Sequence, residues 1–99
     1  MEIKDVIQRI GYFRNKANLS ARELSLRLGK HEGYINKLES KDFNLPTTML
    51  LEIINALNIT PAEFFADNYV DYKKDNEIYN LITNMSADKK DSLISFISK

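Results

Sequence analysis

SARELSLRLGKHEGYINKLE, from Ser20 to Glu39, is the stretch that decides the reading of this chain. Ser20 followed by Glu23 is a capping-box signature, in which each side chain satisfies the other residue's backbone N–H at a helix start. Leu24, Ser25 and Leu28 fall on one face, and Gly29 follows directly, as a helix stop should. A turn of about three residues leads to a further short helix, His31 to Glu39, whose inward positions are Ile35 and Leu38.

The helical pattern continues on both sides. From Lys4 to Ala17, Val6, Ile10 and Phe13 recur at helical spacing, with Ile7 and Arg14 beside them, until Asn18 and Leu19 break the stripe. After the polar segment Ser40 to Pro46, Thr47 or Thr48 is expected to cap a fourth helix through Leu50, Leu51, Ile54 and Leu57. Thr60-Pro61-Ala62-Glu63 is the clearest start signal in the chain: a Thr cap, Pro at the first helical position and a Glu that reaches back. This fifth helix carries Phe64 and Phe65. No alternation of period two survives in these residues, so the expected class is all-α.

Beyond Phe65 the character changes. Asp67 to Asp75 is charged and Tyr-containing; Ile78, Leu81, Ile82 and Met85 then form one amphipathic face, and Ser86 opens a last helix with Leu93, Phe96 and Ile97. The expected organisation is a first domain over residues 1–66 and a helical extension of about two helices over 67–99. Half of the aromatic residues (Phe64, Phe65, Tyr69, Tyr72, Tyr79) fall between 64 and 79. Such a cluster fits a dimer interface, with Phe64, Phe65, Tyr69, Ile78, Leu81 and Ile82 as candidates, or a cap on the domain's own core.

Composition removes most other classes. Zero Cys excludes disulfides and thiolate chemistry, and a single His excludes a His-rich metal site. No phosphate-binding Gly loop, nucleophile elbow or carboxylate pair is present, so neither an enzyme nor a cofactor is expected. No apolar run approaches the roughly 18 residues of a membrane span, and no signal-peptide core follows Met1, so a cytoplasmic, non-membrane protein is expected. Fourteen basic residues balance fourteen acidic ones. Any affinity for nucleic acid must therefore come from local arrangement.

The capped helix, Gly turn and second helix make a helix-turn-helix arrangement. In its order and spacing the chain resembles the phage repressor/Cro-like (XRE) helix-turn-helix regulators. The resemblance rests on Leu19-Ser20, Glu23-Leu24, Leu28-Gly29, Tyr34-Ile35 and Lys37-Leu38-Glu39. It continues through Leu50-Leu51 and Ala56-Leu57-Asn58-Ile59-Thr60 to Glu63-Phe64-Phe65. It implies a five-helix, lambda-repressor-like DNA-binding domain whose third helix, over residues 32–39, enters the major groove. The expected function is a sequence-specific transcriptional repressor acting as a homodimer on double-stranded DNA. The alternative is a protein-interaction module, antitoxin-like or bound by a regulatory protein, with DNA binding secondary.

Helical geometry gives an independent view of the DNA-facing side. With Ile35 and Leu38 inward, Gly33, Asn36 and Lys37 point away, with Glu32 and Tyr34 on the flanks. Lys37 can donate to guanine, Glu32 can accept from a cytosine amino group and Asn36 can reach a base edge or a phosphate, while Gly33 lets the backbone approach the groove. The plainer reading makes Gly33 a tolerated helix residue and Glu32 a first-turn acid favoured by the helix dipole. Phosphate contacts are expected from Ser20, Ala21, Arg22, Tyr34, Asn36 and Lys41, helped by backbone amides where the second helix begins. The resemblance implies that Arg14 and Glu39 form a structural ion pair. The chain departs from the family at Ala21, where Gln is typical, and at Ser40-Lys41-Asp42, where Asn-Gly-Lys is typical. Residues 1–65 carry nine basic and eight acidic groups, so affinity is expected to be modest and dependent on dimerisation.

Overall fold

Helix α1 (Ile3–Lys16) buries Val6, Ile10 and Phe13, because 3.6 residues per turn stack these positions on one side. The computed structural model describes residues 1–40 and 44–98, and among them every regular element is helical. After α1 come α2 (Ala21–Arg27), α3 (Tyr34–Ser40), α4 (Thr47–Ala56) and α5 (Pro61–Phe65). A single 3-10 turn (Tyr69–Asp71) precedes α6 (Tyr72–Thr83) and α7 (Ala87–Ile97). The chain divides into two compact units, Met1–Phe65 and Ala66–Lys99.

Three of the connections in the first unit share one device. Asn18, Gly29 and Asn58 sit at φ of 57°, 71° and 58°, each just past a helix end. At each, the next residue's N–H reaches back over the last turn: Leu19 to the Arg14 carbonyl, Lys30 to Ser25 and Ile59 to Ile54. These are Schellman stops, which satisfy orphan carbonyls and reverse the chain in the fewest residues. They fold α1, α2 and α4 back onto one core of Ile10, Phe13, Leu24, Ile35, Leu38, Ile53, Ile54, Leu57 and Phe64. Phe13 and Phe64 meet with ring centroids 5.8 Å apart.

Three expectations need correction. Helix α3 begins at Tyr34, not His31, because the first helical bond is donated by Lys37 N–H to the Gly33 carbonyl. Neither Thr47 nor Thr48 caps α4: Pro46, extended at φ −61° and ψ 144°, holds the cap position and its carbonyl accepts from Leu50 N–H. Helix α4 buries Ile53 and Ile54, with Leu57 just past its end, while Leu51 is exposed. Finally, Phe64 is fully buried in the core of its own unit, so it is unavailable to a second subunit.

The second unit has a different energetic character. Ser86 caps α7 by accepting from Lys89 N–H at 3.3 Å. Yet none of the described residues in 66–98 is buried. Ile78, Leu81, Ile94, Phe96 and Ile97 are all exposed, Phe96 by 76%.

Candidate nucleic-acid interface

The start of α2 is built by its own sequence. Glu23 N–H donates to Ser20 Oγ at 3.0 Å, and Ser20 N–H donates to the Glu23 carboxylate at 3.1 Å. Hydrogen bonds from Ser20 hold the Glu23 carboxyl below its ordinary range. The box thus occupies two of the helix's initial amides with protein partners. The other two amides of this first turn belong to Ala21 and Arg22.

Beside the apolar packing of Leu24 with Ile35 and Leu38, one buried hydroxyl ties α2 to α3. Ser25, fully buried, donates to the Ala21 carbonyl at 2.7 Å and accepts from Ile35 N–H at 2.9 Å. Ile35 lies in the first turn of α3, where no intrahelical acceptor exists, so Ser25 satisfies an otherwise orphaned buried donor. At the same time it fixes where α3 begins. His31 assists from the turn, its Nδ1 accepting from Gly33 N–H at 3.3 Å. Glu32 and Gly33 therefore lie in the turn before α3, with Gly33 at its cap, rather than inside the helix.

The far end of α3 is tied to α1. Arg14 Nε and Nη2 grip both Glu39 carboxylate oxygens at 2.8 and 2.9 Å, while Nη1 donates to the Leu19 carbonyl at 2.9 Å. Both side chains are mostly covered, so this fork is screened less than a surface pair. The Arg14 pKa is raised, chiefly by the hydrogen bonds to Glu39. Gly11 leaves room for it: a Cβ there would lie 3.2 Å from Glu39 Oε1. Arg9 makes a comparable tie, donating to the Phe64 carbonyl at 2.7 Å.

Clamped at both ends, α3 presents Asn36 and Lys37 to solvent on the side away from Ile35 and Leu38. Tyr34 is half-buried, with His31 against its ring and Lys30 Nζ 5.7 Å from the ring centroid. Burial first, then the charge of Glu52, raises its pKa, so the phenol stays protonated and able to donate. Arg22 and Glu32 come together: Arg22 Nε donates to Glu32 Oε2 at 3.0 Å, both side chains 69% exposed. Ser20 and Ala21 lie at the same end of α2 as Arg22. Lys41, expected at phosphate, and Asp42 lie outside the described residues.

The sequence reading missed what holds this face in place. Ser25 was legible as inward-facing, but its hydroxyl's role depends on a residue ten positions away. Gly11 carried no signal, and the Arg22–Glu32 pair joins two residues read separately as DNA contacts. A depression of about 360 Å³ lined by Arg27, Leu28, Glu52, Asn55 and Ala56 also carried none. Among the described residues no group of His, Asp and Glu converges to hold a metal ion, and no helix is long and apolar enough to cross a membrane.

The helix-turn-helix family profile matches residues 10–64, more than half of the chain. The match runs from the middle of α1 to α5 and includes α2, the turn and α3. No curated protein and no solved structure matches the chain.

Proposed function

Because the chain belongs to the XRE-type family of helix-turn-helix DNA-binding transcriptional regulators, we propose that it is a cytoplasmic, sequence-specific repressor that reads operator DNA with α3. The carrying observation is the outward face of α3, with Asn36 and Lys37 exposed and the helix tied down through Ser25 and Glu39. A rigid helix with free polar side chains is what major-groove reading needs. Lys37 donates to guanine O6 and N7, and Asn36 reaches a base edge or a phosphate. Gly33 lets the helix start approach the groove. Glu32, at the edge of this face, accepts from a cytosine amino group. Ser20, Ala21, Arg22, Tyr34 and Lys41 supply the phosphate contacts that set register.

The active species in this reading is a homodimer. Two recognition helices related by a two-fold axis meet half-sites about 34–36 Å apart, or a multiple of that. The interface draws on apolar residues from the end of α5 onward, with the exposed Phe65, Ile78 and Leu81 and the half-buried Tyr69 and Ile82 as candidates. The same uncovered surface supports a second reading, in which a regulatory protein is the main partner and DNA is secondary.

Selection of duplexes from a randomised pool, followed by titration across salt, separates the readings. The repressor reading expects an enriched two-fold sequence and an affinity that falls steeply as salt rises, because each neutralised phosphate adds about −0.9 to the logarithmic slope. No enrichment at low salt, or binding indifferent to salt, overturns it in favour of the protein-partner reading.

A further inference from the structure

Arg22 and Glu32 face DNA in the reading above, yet in the free protein they face each other. Arg22 offers Nε to Glu32 Oε2 at 3.0 Å, the sole hydrogen bond of its guanidinium within the described residues. The two positions are ten residues apart, on α2 and in the turn before α3, so the bridge spans the junction between the two helices that meet DNA. An ion pair this exposed is weak and readily exchanged for another anion. A phosphate and the Glu32 carboxylate therefore compete for one guanidinium, and the carboxylate gains nothing from the exchange unless it finds a donor elsewhere.

Resting on the DNA-binding reading, we propose that the Arg22–Glu32 bridge is a specificity latch. On an arbitrary duplex Glu32 competes with the backbone for Arg22, weakening one phosphate contact in nonspecific binding. On a site that places a cytosine amino group below the start of α3, Glu32 turns to that donor and Arg22 is released to the backbone. One base pair then controls two contacts, and the preference at that position exceeds what a single carboxylate–cytosine bond supplies. The latch acts mostly by weakening wrong sites, which is a form of discrimination open to a chain with little net positive charge.

The test is a cycle of four full-length chains: wild type, Glu32→Gln, Arg22→Ala and the double variant. Each is titrated with a mixed-sequence duplex and with a duplex selected by the wild type. Both side chains are exposed, so all four should fold alike, which thermal unfolding checks. On the mixed-sequence duplex, Glu32→Gln should bind more tightly and steepen the logarithmic salt slope by up to about 0.9, an additional loss of up to roughly threefold for a fourfold rise in salt. Both effects should vanish in the Arg22→Ala background, since masking needs the masked group. On the selected duplex, Glu32→Gln should lose its preference at one base pair. An equal gain in both backgrounds would mean that Glu32 is merely a negative charge near DNA, and overturns the latch. Loss of affinity in Glu32→Gln would mean that the carboxylate braces Arg22 toward phosphate, and overturns it too. Should none of the four chains bind either a mixed-sequence or any pool duplex at low salt, the DNA reading itself fails and takes the latch with it.

Discussion

Ser25 and Lys37 divide the demands on a recognition helix between a residue that cannot be seen from outside and one that can. The Ser25 hydroxyl is the acceptor for a buried first-turn amide of α3, that of Ile35. Removing one partner of a buried hydrogen bond leaves the other with its full desolvation cost, about 1–3 kcal/mol. Ser25→Ala should therefore lower the stability of the first unit by that amount, and thermal unfolding should shift down by about 4–8 °C per kcal/mol. Lys37→Ala should do the opposite. Its side chain is exposed, so stability should stay within about 0.5 kcal/mol. Operator affinity should fall by about 1–3 kcal/mol, with preference relaxed at one base pair. Thermal melts and duplex titrations of the two variants side by side check both. An unfolded Lys37→Ala would mean the face of α3 is misassigned; an undiminished Ser25→Ala would mean the hydroxyl does not hold the helix.

The capping box ties the start of α2 to the ionisation of Glu23. Because the Ser20 hydrogen bonds depress the Glu23 pKa below its ordinary 4.5, the folded state favours the carboxylate more than the unfolded chain does. The stability this contributes is present above the ordinary value and is lost as pH falls through the depressed one. Glu23→Gln preserves the reach-back to Ser20 N–H but cannot titrate. Wild type should thus melt higher than Glu23→Gln near neutrality, and the difference should close on acidification below 4.5. A difference unchanged by acid would remove the charge from the account of this helix start. The box was legible in the sequence because both partners lie within three residues, and so was Gly29. The start of α3 was not, because it is decided by the Ser25 hydroxyl and by His31 holding the turn. At α4 a hydroxyl preference pointed to Thr47 or Thr48, but the extended conformation of Pro46 and the burial of Ile53 fixed the register instead. Asn18 and Asn58 act as Gly29 does, in the left-handed region that Asn tolerates better than most residues; periodicity marks Asn18 as the end of a stripe but says nothing of this backbone conformation. The Arg14–Glu39 fork joins residues 25 apart, a distance at which spacing is silent, and only the family resemblance suggested it.

At the scale of the whole chain, burial is unevenly shared. Among the described residues every buried side chain lies between Val6 and Phe64. Residues 1–65 thus hold the core that makes a domain, whereas Ala66–Lys99 is shorter than the roughly 40 residues below which disulfides, metals or oligomerisation are usually needed. The chain has no Cys to form a disulfide, and in the homodimer proposed above oligomerisation supplies that support. Ile78, Leu81, Ile94, Phe96 and Ile97 together expose an apolar surface of the kind that soluble monomers rarely leave open beyond a few hundred Å². A second copy suits the cover: α6 and α7 each carry lysines beside acids (Lys73, Lys74, Asp75 and Glu77; Asp88, Lys89, Lys90 and Asp91), so like segments meet without large repulsion. Full-length protein should accordingly sediment as a dimer, with a melting temperature that rises with concentration. A chain ending at Phe65 should sediment as a monomer, keep its helical signal and lose most of its affinity for a two-fold site. Leu81→Lys with Phe96→Lys in the full chain should reproduce the monomer without shortening it. If the shortened chain still dimerises, the interface lies in the first unit; if the full chain is monomeric, its apolar surface belongs to a different protein.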